Sequence, residues 1–245
     1  MDKEIKNYFI AYFDILGYEN MVKNDNKKLL EMISQVIELS ESVKAAIEEQ
    51  SAAFNMKVFS DNFLFCTENE YTGLSVFVSA LQAILTTNNI FVKGALCYGE
   101  MCYDEKFVYG KGLIDIYKLE SEVAIFPRII LDSSYISAAA KIETQTLGTT
   151  VTFNKMKEHL PFHQTDFDNN IYLDYLVALE DLAKYSKNIT KDNNHSFDVY
   201  LKMHQDNIKE NLKTKDRRIL QKYEWCKTYH NKFCNENNYE NFLIK

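Results

Sequence analysis

A short apolar run at residues 8–13, YFIAYF, stops at Asp14, and Gly17 follows it. Aromatic and aliphatic side chains in such a run are typical of a buried strand, and the glycine indicates a turn. From Glu19 to Gln50, apolar residues recur at spacings of three and four. That period predicts one long amphipathic helix after the strand.

Strand-like residues return over 54–67, on both sides of Ser60-Asp61-Asn62. Because these three residues favour turns, the stretch is expected to form a hairpin with Asp61 at its tip. Further elements are expected at 74–85 (helix), 90–99 and 106–110 (strands), 112–123 (helix) and 128–132 (strand). The order predicts an α+β fold with a ferredoxin-like βαββαβ core, whose sheet is covered on one face by two helices.

The second part of the chain carries weaker patterns. Residues 149–153 and 171–177 are candidate strands, and residues 196–235 have a charged helical pattern. We therefore divide the chain into a first domain over 1–140 and a mixed, then helical, C-terminal extension over 141–245.

Composition restricts the function. A net charge of −7 argues against nucleic-acid binding, which needs a basic surface. No apolar run approaches the roughly 20 residues of a membrane span, and the charged N-terminus does not resemble a signal peptide. The expected location is the cytoplasm, where the five cysteines, none in a CxxC pair, would be free thiols.

Asp14 and Asp61 are the candidate metal ligands. Each follows or interrupts strand residues, and a βαββ layout can bring the two positions together on adjacent central strands. Paired carboxylates suit two Mg²⁺ or Mn²⁺ ions, which can clamp the oxygens of a phosphoryl transfer. The plainer alternative is that Asp14 is a turn residue and Asp61 a solvated hairpin tip.

Four blocks in this order carry a family resemblance: FDILGY (13–18), FSDNF (59–63), GALCYGEMCYDEKFVYGKGLIDIYKLE (94–120) and PRIILD (127–132). Together they make the first 135 residues resemble a class III nucleotide cyclase catalytic domain. The residues of these motifs are most similar to those of the small bacterial pyrimidine (cytidylate or uridylate) cyclases of Pycsar anti-phage defence.

The resemblance implies roles for the residues around the first two blocks. Asp14 and Asp61 would hold the ions, with the Ile15 carbonyl completing one coordination shell. Backbone N–H groups at Gly17 and Tyr18, where a helix begins, would cradle the triphosphate.

Further roles follow by position. Arg128 would contact the β- and γ-phosphates, and Lys118 replaces the arginine of the transition state. Lys57 stands where relatives read a base, while Phe107 replaces an acidic base-reading residue and could only stack. Ile114 replaces the asparagine that positions the ribose and supplies no hydrogen bond.

The implied activity is conversion of a nucleoside triphosphate, CTP or UTP, to a 3′,5′-cyclic nucleotide and pyrophosphate. The family site lies across a homodimer interface, so Asp14 and Asp61 would face Lys118 and Arg128 of the other chain. A separate effector would bind the cyclic product. The alternatives are a nucleotide sensor without turnover, because of Ile114 and Lys118, and a structural or interaction protein.

Two other groups of polar residues are interpreted as structural. Cys226, His230 and Cys234 lie four residues apart on a predicted helix, and one helix cannot close a zinc shell, so a packed helix face is expected. The polar residues after Pro161 have no second cluster to meet and are interpreted as a loop: His163, Asp166 and Asp168.

Overall fold

The computed structural model describes residues 4–48, 54–104, 106–190 and 196–245. The strands are β1 (Lys6–Ile15), β2 (Phe54–Phe59), β3 (Asn62–Thr67), β4 (Val92–Tyr103), β5 (Val108–Tyr109), β6 (Ile129–Leu131), β7 (His163–Thr165) and β8 (Ile171–Leu173). The helices are α1 (Tyr18–Glu48), α2 (Tyr71–Thr87), α3 (Lys111–Lys118), α4 (Ser133–Leu147), α5 (Phe153–His159), α6 (Tyr175–Thr190), α7 (Phe197–Asn211) and α8 (Arg217–Glu236). A π-turn over Leu119–Val123 continues α3. The last two residues of the helix predicted over 19–50 lie outside the described residues.

The sheet has the strand order β2-β3-β1-β4-β6-β8-β7, with β5 paired to β4. Its first four strands are those of the βαββαβ core, and β1 lies antiparallel between β3 and β4. This is the ferredoxin-like arrangement expected from the order of elements, so the α+β prediction is confirmed. A central β1 explains why its sequence is apolar on both faces.

Both faces of the sheet are covered. On one face, Phe9 and Phe13 belong to a core cluster with residues of α1 and α2, the two helices that the sequence predicts there. On the other face, Ile10 belongs to a second cluster, which includes Ile116 of α3 and Trp225 of α8. The expectation of helices on one face is therefore incomplete, because α3 and the C-terminal helices bury the other.

The C-terminal elements differ from two of the predictions. The strand at 149–153 is wrong: the Thr152 side chain accepts a hydrogen bond from the Lys155 N–H and begins α5. The strand at 171–177 is shorter than predicted, because Asp174 accepts from the Val177 N–H at 3.3 Å at the start of α6. The helical prediction over 196–235 is confirmed by α7 and α8. The boundary at residue 140 stays a prediction; it falls inside α4, and β7 and β8 extend the same sheet.

In the part of the chain that the structure describes, no helix is both long enough and apolar enough to cross a membrane.

Gly94 of β4 pairs with Phe13 of β1 and leaves no room for a side chain. A Cβ atom at this position would lie 2.3 Å from the Tyr12 carbonyl oxygen and 2.4 Å from the Phe13 Cβ. Since backbone cannot move aside in a central strand pair, Gly94→Ala should lower the free energy of unfolding by about 1–3 kcal/mol. Urea denaturation followed by circular dichroism measures this, and an unchanged midpoint would contradict the close approach.

Candidate active site

Asp14 and Asp61 converge at one end of the central strands. Asp14 is the last residue of β1 that pairs with β3, where it lies opposite Asn62. Asp61 occupies the hairpin turn between β2 and β3. The Ile15 N–H donates to the Asp61 carbonyl oxygen at 3.1 Å, which fixes the turn against the end of β1. Thus the structure brings together the two carboxylates that the sequence singles out.

Neighbouring polar side chains orient Asp61. The Asn62 amide donates to Asp61 Oδ1 at 2.9 Å, and the Tyr12 hydroxyl donates to Asn62 Oδ1 at 2.6 Å. Tyr12 and Asp14 are two positions apart in β1 and therefore point to the same face of the sheet. The hydrogen-bond chain from Tyr12 through Asn62 leaves the second oxygen of Asp61 to other partners.

Asp14 lies in a strongly charged environment. Burial raises the pKa of Asp14 to about 6; the Lys93 ammonium opposes this shift, and the carboxylates of Glu120 and Asp61 add to it. Lys93 Nζ lies 3.9 Å from Asp14 Oδ2 and forms an ion pair with Glu120. Asp14 Oδ1 is buried and has no hydrogen-bond partner among the described residues.

These residues fit a divalent cation. The buried Asp14 Oδ1 and the neighbouring Asp61 carboxylate are hard oxygen ligands, and the Ile15 carbonyl is a third oxygen at the same strand end. The described residues contain no cluster of three His, Cys, Asp or Glu side chains of the kind that closes a metal shell. A site with two carboxylates suits Mg²⁺, which keeps waters and takes substrate phosphates as its other ligands.

The turn at Gly17 connects β1 to α1. Gly17 has φ = +75°, and its carbonyl accepts from the Asn20 and Met21 N–H groups at 3.0 and 3.1 Å. Tyr18 is the first residue of α1, so the orphan N–H groups of that helix begin three positions after Ile15. A cavity of about 600 Å³ separates this turn from the end of α7 and the start of α8.

Lys57 and Phe107 meet at one turn of the structure. The Phe107 N–H donates to the Asp104 carbonyl oxygen at 3.2 Å, and Lys57 Nζ donates to the same oxygen at 3.3 Å. Lys57 also lies 5.7 Å from the centre of the Tyr103 ring. The two residues expected to contact the base are therefore adjacent.

Lys118 and Ile114 lie on the outer surface of α3. Both side chains are exposed, Ile114 by 57%. No hydrogen bond or ion pair joins Lys118 to Asp14 or Asp61 within the described chain.

Arg128 lies in the interior of the chain, and its ion pairs are with residues other than Asp14 and Asp61. Its side chain is fully buried and forms ion pairs with Asp166 and Asp168. Asp166 Oδ2 also accepts from Trp225 Nε1 at 2.7 Å, and the guanidinium lies 5.4 Å from the centre of the Phe126 ring. Asp166 and Asp168 lie in the turn between β7 and β8, so the loop interpretation is confirmed for both. The expectation that no other group meets them is wrong, because Arg128 pairs with both.

The sequence suggested that His163 lies in a loop. This is wrong, because His163 is the first residue of β7. The predicted packed face of α8 is confirmed, since Cys226, His230 and Cys234 are all buried.

Sequence reasoning missed three charged residues of the site. Lys93 is the direct β4 partner of Asp14, and Glu120 follows α3 in the π-turn. Lys222 of α8 interacts electrostatically with both Asp14 and Glu120. The pairing of β1 with β4 could have indicated Lys93, whereas no local pattern marks a lysine more than 200 residues from Asp14.

Comparison with known proteins gives structural neighbours alone: no family model and no curated protein matches the chain. One neighbour is the adenylyl cyclase CyaB from P. aeruginosa, with 12% identity and a TM-score of 0.42 over 56% of this chain and 82% of that one. Another is a dimeric guanylyl cyclase domain of the RhoGC fusion protein from the fungus Blastocladiella emersonii, with 14% identity and a TM-score of 0.43 over 69% and 94%. A third is a class III adenylyl cyclase-like ATP-binding protein from Pseudomonas aeruginosa, with 12% identity and a TM-score of 0.35 over 63% and 40%.

The fold and the site define an α+β protein with a ferredoxin-like sheet and a two-carboxylate site at the end of its central strands.

Proposed function

We propose that the protein is a metal-dependent nucleotide cyclase. It would convert a nucleoside triphosphate to a 3′,5′-cyclic nucleotide and pyrophosphate. The observation that carries the proposal is the convergence of Asp14 and Asp61, joined through the 3.1 Å hydrogen bond of Ile15 to Asp61, beside the turn at Gly17. Metal-binding carboxylates next to a helix N-terminus suit the phosphates of a nucleotide.

The reaction assigns a task to each group. The ribose 3′-oxygen bonds to the α-phosphorus, the bond from that phosphorus to the bridging oxygen breaks, pyrophosphate leaves, and the hydroxyl proton passes to solvent. Asp14, Asp61 and the Ile15 carbonyl would hold two Mg²⁺ or Mn²⁺ ions, which would stabilise the charge on the attacking and leaving oxygens. The N–H groups at Gly17 and Tyr18 would orient the triphosphate.

The expected substrate is CTP or UTP. The motif residues resemble those of the pyrimidine cyclases. Phe107 offers a ring for stacking at the position where an acidic residue would recognise adenine. Its position beside Lys57 supports a base-binding role for the pair. The cyclic product would act in the cytoplasm on a separate effector, as in anti-phage signalling.

A homodimer would complete the site. The exposure of Lys118 at the end of α3 supports its delivery to the site of a second copy, where its positive charge would face the transferred phosphorus. The burial of Arg128 sets it apart from Lys118, because its guanidinium is already paired with two carboxylates.

The test is to incubate the protein separately with ATP, GTP, CTP and UTP in Mn²⁺ and to identify the products by mass spectrometry. Asp61→Asn should reduce product formation at least about 100-fold, the size of losing one electrostatic contact to a transition state. Asp181→Asn, which changes an exposed aspartate of α6, is the matched control and should keep full activity. If no cyclic product forms from any of the four, the proposed activity is excluded.

The second candidate is a protein that binds nucleotide without turning it over. The observation that favours it is the commitment of Arg128 to Asp166 and Asp168, which removes one expected phosphate contact. Isothermal titration calorimetry with each nucleotide and Mn²⁺ separates the two candidates. Tight binding without a cyclic product would select the sensor.

A further inference from the structure

The C-terminal helices pack against the end of the sheet that carries Asp14. The Asn207 amide donates to the Thr86 and Thr87 carbonyls at the end of α2, at 2.9 and 3.0 Å. At the start of α8, the Tyr223 ring packs edge-on against Phe91, with ring centres 5.1 Å apart. The Phe91 carbonyl in turn accepts from the Leu16 N–H at 2.8 Å, in the β1–α1 turn.

The contact leaves a cavity between two turns of one chain. One wall is the β1–α1 turn, with Leu16 and Gly17, and the other is formed by Lys213 of the α7–α8 connection and Lys222 of α8. The cavity has a volume of about 600 Å³, which is within the range of small-molecule sites. Lysines therefore face the turn at which the site would hold phosphate.

Lys222 is placed differently from the other lysine of the cavity. Lys213 is exposed and paired with Glu210, whereas Lys222 is half-buried and lies in the electrostatic field of Asp14, Glu120 and Lys93. Burial lowers the pKa of Lys222, the Lys93 ammonium lowers it further, and the two carboxylates oppose the shift. A half-buried ammonium is less screened by salt than an exposed one, so it attracts an anion more strongly.

We propose that Lys222 of α8 supplies, from the same chain, the cation that binds the polyphosphate of the nucleotide in the cavity beside Gly17. The inference rests on the proposed function and adds to it a role for the C-terminal extension. The sequence suggests Arg128 for this contact, but Arg128 is buried and already forms ion pairs with Asp166 and Asp168. Lys222 lies on the open cavity between Gly17 and α7.

The arrangement also makes the helical extension part of the site. Lys222 reaches the cavity because Tyr223, the next residue, is anchored on Phe91. A change that detaches α8 would therefore remove a phosphate contact without altering Asp14 or Asp61. Lys222 would bind and orient the leaving phosphates directly.

The test measures binding of Mn²⁺-CTP, Mn²⁺-CMP and Mn²⁺-tripolyphosphate by calorimetry, with UTP, ATP and GTP in parallel. Lys222→Met keeps the length of the side chain and removes its charge. It should weaken binding of the triphosphates and of tripolyphosphate by about 10- to 100-fold, the effect of one charged hydrogen bond. Binding of CMP should change less than about twofold, since CMP lacks the β- and γ-phosphates.

Two further variants complete the design. Lys222→Arg keeps the charge and should restore most of the affinity, and Lys227→Met, on the same helix outside the cavity lining, should behave as wild type. If Lys222→Met binds CTP and tripolyphosphate as tightly as wild type, the role of Lys222 is excluded while the proposed function stands. An equal loss for CMP would also exclude it, because a phosphate contact must distinguish the ligands. Wild type that binds none of the probes would overturn both proposals.

Discussion

Replacing Arg128 by methionine should lower the free energy of unfolding by about 3–5 kcal/mol, the cost of breaking a buried ion pair from one side. The side chain is fully buried, and its two nitrogens pair with Asp166 and Asp168. Methionine fills much of the space but leaves both carboxylates without their cation. Asp166 would keep the hydrogen bond from Trp225, and the remaining charge would be poorly compensated.

The ionisation of Asp168 supports this expectation. Burial raises the pKa of Asp168, but the hydrogen bonds from Arg128 and Asn170 outweigh burial, so the pKa lies below its ordinary value. The folded state therefore favours the charged carboxylate while Arg128 is present. Without Arg128 that preference is weakened, because only the hydrogen bonds from Asn170 remain, and the folded state loses stability at neutral pH.

The measurement is urea denaturation of wild type and Arg128→Met at pH 7.5, followed by circular dichroism. Arg218→Met, at an exposed arginine of α8, is the matched control and should change the unfolding free energy by less than about 0.5 kcal/mol. Adding Asp166→Asn and Asp168→Asn to Arg128→Met should recover part of the loss, because the stranded charges disappear. A variant that is as stable as wild type but inactive would instead support the phosphate contact predicted from the sequence.

The elements of the core could be predicted because their signals are local. The period of α1, the apolar run of β1 and the turn residues at Ser60-Asp61-Asn62 each depend on neighbours within a few positions. The meeting of Asp14 and Asp61 followed from the order of these elements. No distant contact had to be known.

The sequence-based predictions were wrong or incomplete where the local structure depends on distant or competing contacts. Residues 149–153 alternate like a strand, but strand preference depends on a partner, and the capping bond of Thr152 starts a helix instead. Asp166 and Asp168 seemed unpartnered because Arg128 lies about 40 positions earlier in the chain. The same holds for Lys222, whose approach to Asp14 depends on the packing of α8 against Phe91.

The second large effect that we expect is a loss of stability at low pH. His204 and His230 are fully buried, and their Nδ1 atoms lie 2.9 Å apart. His230 Nε2 faces the Phe242 carbonyl at 2.9 Å and must donate to it, so His230 Nδ1 accepts and His204 Nδ1–H donates. His204 Nε2 then accepts from the Tyr175 hydroxyl at 3.0 Å. All these contacts are satisfied when both rings are neutral.

Protonation of this pair opposes folding. Burial lowers the pKa of His230 to about 4, with a smaller opposing effect of the Phe242 carbonyl, and burial together with His230 lowers the pKa of His204 well below its ordinary value. Both pKa values are near 6.5 in the unfolded chain. Between pH 6.5 and 4 the unfolded state therefore binds protons that the folded state does not, and stability falls as the pH falls.

Between pH 7 and 5 the two histidines should therefore contribute a loss of roughly 2 kcal/mol each to the free energy of unfolding, or about 4 kcal/mol for the pair. The measurement is urea denaturation at both pH values for wild type, the double variant His204→Gln/His230→Gln and His159→Gln. His159 is exposed, so its variant should keep the wild-type dependence on pH. The double variant should lose about 4 kcal/mol of that dependence, since glutamine does not titrate. If the double variant and wild type lose the same stability between pH 7 and 5, the two histidines are not the groups that make the fold sensitive to acid.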